Sequence, residues 1–560
     1  MLAARTRSPR DSVRVPVPTV TIRSAAVVFV AVGLSQCSGG SSPASSGSVS
    51  GSTASGAVDD GGLIFAVPAP GPEAGADAAA DTFGCNPMLT PKDAACILDD
   101  AYGVFVAPPA ADGGAGGSDV SGNGTMALPY ATIGTALKNL NGKSRVYLCG
   151  GTYPEQVTLD EAHAASLYGG LTCAAGASGL TWRYEGTVAQ VRPSVADRPA
   201  ITVSAGPTPI AIEDVGIESP ATHVQDPTGA GQSSIAAWVD KSTVSFARVV
   251  LTAGDAANGA DGTTLDNYER TVPPPGPQAN GDPARQTCPP GAISPPGDGT
   301  LGGHGAVASP SGGDGVSFPP TTGAPPFDGK GGVFDMTSGN PSPGDDGASG
   351  FARSGGAAAL VLGVLSDSSW APSAGGDGRA GTPGQGGGAG GGLPNGVPDS
   401  GAFYPGGAGG VGGCGGGGGT GGKGGGASVA LFSVSSMVTL TACQLTSAQA
   451  GNGGKGGSGD IGQPGGPPAF QAMGGHGGRG GAGAGGSGGA GGTGGLSAGV
   501  AYRGAEPIRD ASTAIQVSHG AGAGQPGVGG QAGLGPSSGK VGAAGLAGAY
   551  FTSVAIPAAP

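Results

Sequence analysis

The sequence predicts an all-β chain: a right-handed parallel β-helix with a short N-terminal capping helix and long glycine-rich insertions leaving from one edge. Three observations carry this reading. Apolar residues recur in register, glycine recurs at every third position in the insertions, and the composition disfavours a compact core. The chain holds 123 Gly and 48 Pro in 560 residues, with 11% charged and 5% aromatic residues. Pro plus Gly at that level signals disorder unless a period is present. A repetitive structure is easier to build, because each unit buries its apolar face on its neighbours.

The register comes first. Ile201, Ile210, Ile212, Val215 and Ile217 recur as Ile235, Val244, Phe246, Val249 and Leu251, a uniform offset of 34 (235−201, 251−217). They recur again as Val429, Val438, Leu440, Cys443 and Leu445, offset by 194 from the second set. Within a copy, period two marks a strand with alternate side chains buried, and the break to three marks a turn. Stacked copies cover one another's apolar faces, as parallel strands whose crossovers are right-handed. Two further copies are weaker: Ala357–Leu365, and Val500, Ile508, Ile515 and Val517 with a register slip. Tyr550–Ile556 is expected to close the stack.

The cap is read from residues 119–173. A polar turn, Asp119–Thr125, precedes Pro129-Tyr130-Ala131-Thr132-Ile133, and apolar Ile133, Ala136, Leu137 and Leu140 have helical spacing. Val146–Leu148 follows as a strand, then Gly150-Gly151-Thr152-Tyr153, Val157-Thr158-Leu159 and Ser166–Gly170. This stretch resembles the opening of pectin-lyase-like right-handed β-helices. In that family a "GSGT…NPY.TI..AL" segment forms a capping helix and "V.V..GTY.E.V.L" the first coil. The resemblance covers about 55 residues and implies a fold, not an activity. Leu167-Tyr168-Gly169-Gly170 and the glycine blocks resemble glycine-rich, PGRS-like bacterial surface lipoproteins.

Glycine occupies every third position at 375–390, 406–424, 453–465, 474–495, 524–533 and 539–548. One insertion begins after Leu251-Thr252-Ala253 and another after Leu445-Thr446-Ser447, so both are expected to leave one edge side by side. Period three suits the polyproline-II helix, whose free backbone groups can pair with neighbouring strands. Three outcomes stay open: a polyglycine-II-like bundle of there-and-back arms, a disordered spacer, and a collagen-like trimer. Residues 254–356, Pro-rich and irregular, are expected to be disordered.

Export is read from the first residues. Arg5, Arg7, Arg10, Arg14 and Arg23 precede the uncharged run Ala25–Leu34, which is too short to span a bilayer and fits the apolar region of a signal peptide. Leu34-Ser35-Gln36-Cys37 resembles a bacterial lipoprotein signal, which implies lipid on Cys37; Gln36 departs from that pattern, which leaves full secretion as the alternative. Ser38 in place of Asp favours the outer membrane or cell surface within that family. Residues 38–57 read as a Gly/Ser tether.

The chain has eight Cys and no CxxC pair, so a zinc or redox site is not expected, whereas an exported chain permits disulfides. Cys85 with Cys96 and Cys149 with Cys173 are the local pairs, Cys288 with Cys414 is the remaining one, and Cys443 sits in an apolar column. The expected segments are a signal peptide (1–36), a tether (37–80), the cap and first coils (81–252), an insertion (253–356), a coil (357–366), an insertion (367–427), a coil (428–447), an insertion (448–495), a coil (496–518), an insertion (519–548) and a closing strand (549–560).

No catalytic constellation stands out. His163, His223, His304, His476 and His519 lack the close second His of a metal motif. Glu213-Asp214 aligns with Ala247-Arg248 and Thr441-Ala442, so no acidic ladder of the kind used by lyases or glycosidases forms. Asp255 and Asp261 lack calcium-nonapeptide context. GxGxxG strings join no strand to a helix and follow from composition. No metal or cofactor is expected. A net charge of −13 excludes the basic stripe of a nucleic-acid binder. The expectation is a non-enzymatic, surface-displayed structural or adhesive lipoprotein whose partners are the membrane, through its lipid, and extracellular polysaccharide or cell-surface matrix. The alternatives are a polysaccharide lyase or hydrolase and a flat-face binder of ice or glycan.

Overall fold

The computed structural model describes residues 85–109, 116–176, 179–265, 273, 285–288, 299–301, 310–318, 329–366, 369–396, 402–470, 473–517 and 523–557. The chain is all-β, and its main strands lie in three parallel sheets. The first contains Val104–Val106, Arg145–Cys149, Ser166–Gly176, Ile210–Glu213, Thr243–Ala247, Met437–Thr441 and Ile508–Arg509, in that order. Gly179–Thr187 pairs antiparallel with Ser166–Gly176 at its margin. The second runs Gly151–Tyr153, Ala189–Val191, Val215–Ser219, Val250–Ala253, Gln444–Ser447, Ala514–Val517. The third runs Val157–Asp160, Ile201–Ser204, Ser234–Asp240, Ser428–Val434, Leu496–Arg503, Ala549–Ala555. From Arg145 onward the chain visits the sheets in a fixed cyclic order, first, second, third.

The corners explain the two-three-two spacing. Asp214, Arg248 and Ala442 each adopt a left-handed backbone, with φ of 54°, 56° and 53°, between first-sheet and second-sheet strands. One such residue turns the chain without spending a whole loop. Lys241 and Ser435, at φ 45° and 50°, make the other tight corner. Columns of buried side chains then pile up between the sheets. One runs Tyr153, Val191, Ile217, Leu251, Leu445, Ile515, each paired with the next. Another runs Leu167, Ile212, Phe246, Leu440.

One column differs from the sequence reading. Ile201 pairs with Ala237, not Ile235, while Ile235 pairs with Val429. Ile201 packs in the inner core and Ile235 in a second cluster on the outer face of the third sheet. Strands Ser234–Asp240 and Ser428–Val434 are buried on both faces, apart from half-buried Asp240. Hydrophobicity alone cannot tell inside from outside there.

The cap is the helix Ile133–Lys138, with Ile133, Ala136 and Leu137 buried. Thr132 accepts from the Thr135 N–H, and the Glu155 carboxylate accepts from the Ile133 and Gly134 N–H groups at 2.7 and 2.9 Å. The Tyr153 hydroxyl donates to the Val106 and Cys149 carbonyls. Two residues of the Gly-Thr-Tyr-x-Glu stretch thus tie the helix and the first strands together, satisfying donors that a helix start leaves orphaned.

The glycine-rich segments are hydrogen-bonded to one another through their backbones. Segment 375–391 runs antiparallel to 405–426: the N–H groups of Gly375, Gly378, Gly381, Gly384, Gly387 and Gly390 donate to the carbonyls of Gly422, Gly419, Gly416, Gly413, Gly410 and Gly407. Segment 405–426 donates to 474–495 in parallel, from Gly407 to Gly475 through Gly425 to Thr493. Segment 450–469 runs antiparallel to both. Segment 474–495 is the centre, bonded to 342–357, 373–391, 405–426, 450–469, 523–534 and 537–548. Contact is too close for side chains. A Cβ on Gly480 would lie 1.8 Å from the Val411 carbonyl oxygen, and one on Gly486 would lie 1.9 Å from that of Gly417.

Two expectations are corrected. Within the 254–356 insertion, 254–265 and 329–357 are ordered in the bundle: Gly259 donates to Asn452, and Gly344, Gly347, Gly350 and Gly356 to His476, Arg479, Ala482 and Gly488. Those four Gly preserve the triplet, and the prolines mask it. Residues 357–366 are not a coil of the stack. Gly363–Leu365 pairs antiparallel with Trp370–Pro372, and this hairpin covers the outer face of the third sheet, with Trp370 stacked on Phe432 at 6.1 Å. Its Leu and Trp are apolar because they cover that sheet, not because they line the interior.

In an outer arm such as 450–469, two residue classes donate to neighbouring backbones and the third faces outward, whereas the central segment 474–495 donates from all three. Pro343, Pro383, Pro464 and Pro467 all fall in the outward class, where no donor is needed. Ser458→Pro, also outward, is therefore expected to change stability by less than about 0.5 kcal/mol. Gly456→Pro loses the bond to Val528 and clashes with Gly489, and is expected to destabilise by about 2–4 kcal/mol. Leu251→Ala, in the middle of its column, is expected to cost about 2–5 kcal/mol. Denaturant melts of the three variants check this set.

Candidate functional site

Disulfides join Cys85 to Cys96, Cys149 to Cys173, and Cys288 to Cys414, a complement typical of an oxidising compartment. The first two lock the N-terminal segment and the Ser166–Thr187 hairpin, whose Tyr168, Leu171 and Trp182 pack with Phe105 and Tyr147. The third staples residues 285–288 onto the glycine arm around Cys414, where the Gln286 amide donates to Gln463 at 2.7 Å. Cys443 is a buried free thiol in the core, and burial pushes its pKa up, so it is held as an inert thiol. Cys37 lies outside the described residues, as do His304 and His519.

The remaining polar residues singled out in the sequence are engaged structurally. Asp214 and Glu213 both accept from Arg248, at 2.8 and 2.7 Å, so one guanidinium offsets one of the two carboxylate charges at this corner and is itself held well above its ordinary pKa. His163 bonds to Asp160 at 2.7 Å. Asp255, Asn258 and Asp261 stand at period three along one arm, and their Oδ1 atoms accept from the Gln449, Asn452 and Lys455 N–H groups of the next. They cap outward donors that have no further arm to meet. Among the described residues, no group of three or more His, Cys, Asp or Glu is placed to hold a metal ion.

What sequence reasoning missed is a cleft of about 390 Å³ on the outer face of the third sheet. Its floor is Ile235 and Trp238, and its wall is Trp370 on the hairpin. Residues 196–199 and 226–233, which lead from second-sheet to third-sheet strands, form the other sides. Asp197 is held by the Gln156 amide at 2.7 Å, and Asp226 Oδ1 accepts from Thr228 and Ala230. Arg198 is exposed and makes no ion pair with the described residues. The indole N–H of Trp370, a residue 8% exposed, has no hydrogen-bond partner. A buried donor left without a partner is disfavoured by about 1–3 kcal/mol. The cleft therefore offers two carboxylates, each held through its Oδ1, a guanidinium and an apolar floor, a set suited to holding a small polar ligand. Its volume lies at the low end of ligand pockets, about 300–1,000 Å³. Isolated Trp residues in irregular sequence gave no periodic signal for it.

The last corner of the first sheet carries the titratable group with the clearest consequence. Asp510 accepts from the Ala442 N–H, the Thr513 N–H and hydroxyl, and the Ser512 hydroxyl. These bonds lower its pKa from 3.8 to about 2. Because the folded value is depressed, the stabilisation is present above about pH 4 and disappears as pH falls toward 2. Asp510→Asn is expected to flatten the acid limb of the stability–pH curve in that window, measured by melting between pH 2 and 7.

Comparison with family models, with curated proteins and with solved structures finds no match for this chain.

Proposed function

We propose that the protein is a non-enzymatic, surface-displayed structural or adhesive lipoprotein. A right-handed parallel β-helix of the pectin-lyase-like kind acts as its platform, lipid on Cys37 as its tether, and the polyglycine-II-like arms as its projecting surface. The observation that carries this reading is the hydrogen-bonded bundle itself. Arms of about seven turns of backbone would be an extravagant spacer, but bonded side by side they make a stiff shaft, since three residues per turn rise about 9 Å. The cyclic order of the three sheets supports the helix, and its crossovers are right-handed by the general rule for parallel strands. The three disulfides fit export. The one acidic pair in the stacked copies, Glu213 and Asp214, is tied up by Arg248.

A second reading is favoured by one specific observation. The unpartnered Trp370 N–H beside Asp197, Arg198 and Asp226 supports recognition of a glycan, with the same molecule acting as an adhesin without turnover.

The display reading is tested on intact cells. External protease is expected to remove the glycine-rich segments from the wild type, and Cys37→Ser is expected to move the protein from the membrane fraction to the soluble one. Protection from protease, or Cys37→Ser protein that stays with the membrane, would overturn it. For the second reading, binding to a panel of neutral polysaccharides is expected to fall about ten-fold or more in Trp370→Ala.

A further inference from the structure

The two ends of the stack are built differently. At the N-terminal end the helix Ile133–Lys138 packs on Val104–Val106, Arg145–Cys149 and Val157–Asp160, with Ile133, Ala136 and Leu137 buried. Residues 124–130 continue past the edge of Val104–Val106: the Phe105 N–H donates to the Gly124 carbonyl and the Ala107 N–H to that of Tyr130. At the C-terminal end, Ile508–Arg509, Ala514–Val517 and Ala549–Ala555 are each the last strand of their sheet. Each is paired on one side only, to Met437–Thr441, Gln444–Ser447 and Leu496–Arg503 respectively. Among the described residues, no strand pairs with the other side, and no helix follows His163. The inner column that starts at Tyr153 stops at half-buried Ile515.

The longest of these edges lacks what normally blunts one. The strand Ala549–Ala555 reads Ala-Tyr-Phe-Thr-Ser-Val-Ala, with no charge and no Pro. Phe551 is 40% exposed on it, and Ile508 is 68% exposed on the neighbouring sheet's last strand. Folds that keep an edge open to water protect it with Lys, Pro or a very short strand, because unpaired N–H and carbonyl groups are a template for another chain. The alternation of a ladder turns the Ala555 N–H to the open side, since the next one, of Ile556, donates inward to Tyr502.

We propose that this end is the interface of a two-fold dimer, in which the last layer of one copy pairs with the last layer of another. Three features select a second copy as the occupant. A lone peptide meets one edge, whereas these three edges border one shared core, so covering them together takes another stack end. The N-terminal end of the chain is closed by its helix, which excludes head-to-tail growth and leaves like ends to meet. Charge permits the approach: in residues 496–517 and 549–557 Arg503 and Arg509 balance Glu506 and Asp510, whereas the whole chain carries −13. Two acidic molecules thus meet where neither stack carries net charge. The two-fold reverses strand direction, so the new pairing is antiparallel, and the ladder that runs through every layer continues into the partner. The proposal stands apart from surface display and is measured separately from it.

The test uses the full chain carrying Cys37→Ser, so that no acyl group contributes. Light scattering and sedimentation are expected to give a dimer at about 10 µM that dissociates on dilution. Amide exchange in residues 549–555 is expected to slow as the dimer forms. Ile508→Lys with Phe551→Lys sets like charges against each other across the interface and is expected to weaken association about ten-fold or more. Ala555→Pro removes an edge donor while leaving the bond from Ile556 to Tyr502, and is expected to weaken it in the same direction. Leu360→Lys, at a residue 94% exposed elsewhere, is expected to leave association unchanged. A monomer at every concentration, a dimer indifferent to both edge variants, exchange in 549–555 that does not follow the dimer, or assembly beyond the dimer would each overturn the proposal.

Discussion

Everything in the bundle depends on one contact: a backbone N–H meeting a carbonyl of a neighbouring segment with no Cβ between them. At Gly419, Gly465 and Gly480 a Cβ would sit 1.8 Å from an oxygen, so the bond and a side chain are mutually exclusive. Glycine ordinarily loses more backbone entropy on folding than any other residue. Here that loss is offset by bonds that only glycine permits. Segment 474–495 makes them to six neighbours, so its fate is tied to theirs. The same rule sorts the other residues. Inward classes are mostly Gly, with Ala, Ser and Thr and a few longer side chains such as Gln385, Asp460 and Gln463; the outward class of the outer arms also takes Pro, Asn and Lys.

The stack sets where those contacts form. Strands Ser234–Asp240 and Ser428–Val434 pair with an offset of 194, and so do Val250 with Gln444 and Leu251 with Leu445. The offset passes unchanged into the arms, where Asp255, Asn258 and Asp261 cap residues 194 further on. The sheets thus deliver two chain segments to the seam already in register. At the next layer the stack offset is 70 (515−445), while Asn452 caps Gln525 at 73. The difference of three is one full repeat. Glycine stays opposite carbonyl, so the bundle tolerates the slip that a strand, with period two, would not.

Much of this was legible in the sequence because both periods are strict. Ile217, Leu251 and Leu445 could be read as a column since tight corners at Asp214, Arg248 and Ala442 keep the spacing constant. Legibility failed where one residue serves two surfaces. Ile235 looks like a core residue and is one, but of the outer cluster with Trp238 and Phe432. Ala357–Leu365 has the composition of a strand, yet Leu360 is 94% exposed and only Leu365 is buried. Gly344, Gly347, Gly350 and Gly356 carried the triplet in a Pro-rich stretch, and the prolines hid it although they occupy the one class that tolerates them. The cleft beside Trp370 has no local signature at all, since its sides come from four separate stretches of chain.

The distribution of chemistry then bears on function. In the stack, Arg248 engages the two carboxylates of its corner and Asp510 accepts from the N–H groups of another; in the bundle, Asp and Asn cap orphaned donors. Each such role places the group by geometry that a substrate would have to break. A bundle whose interior is backbone leaves little room for side chains there, and one hairpin covers part of the outer face of the third sheet. Among the described residues, the indole N–H beside the cleft and the exposed apolar side chains at the far end of the arms are two places where the fold leaves side chains unused. Both lie on surfaces positioned by rigid elements, and both suit holding a partner rather than transforming it. An architecture that packs backbone against backbone gains its order from bonds that only glycine permits, and its side chains do their work in the sheets and at the segment ends.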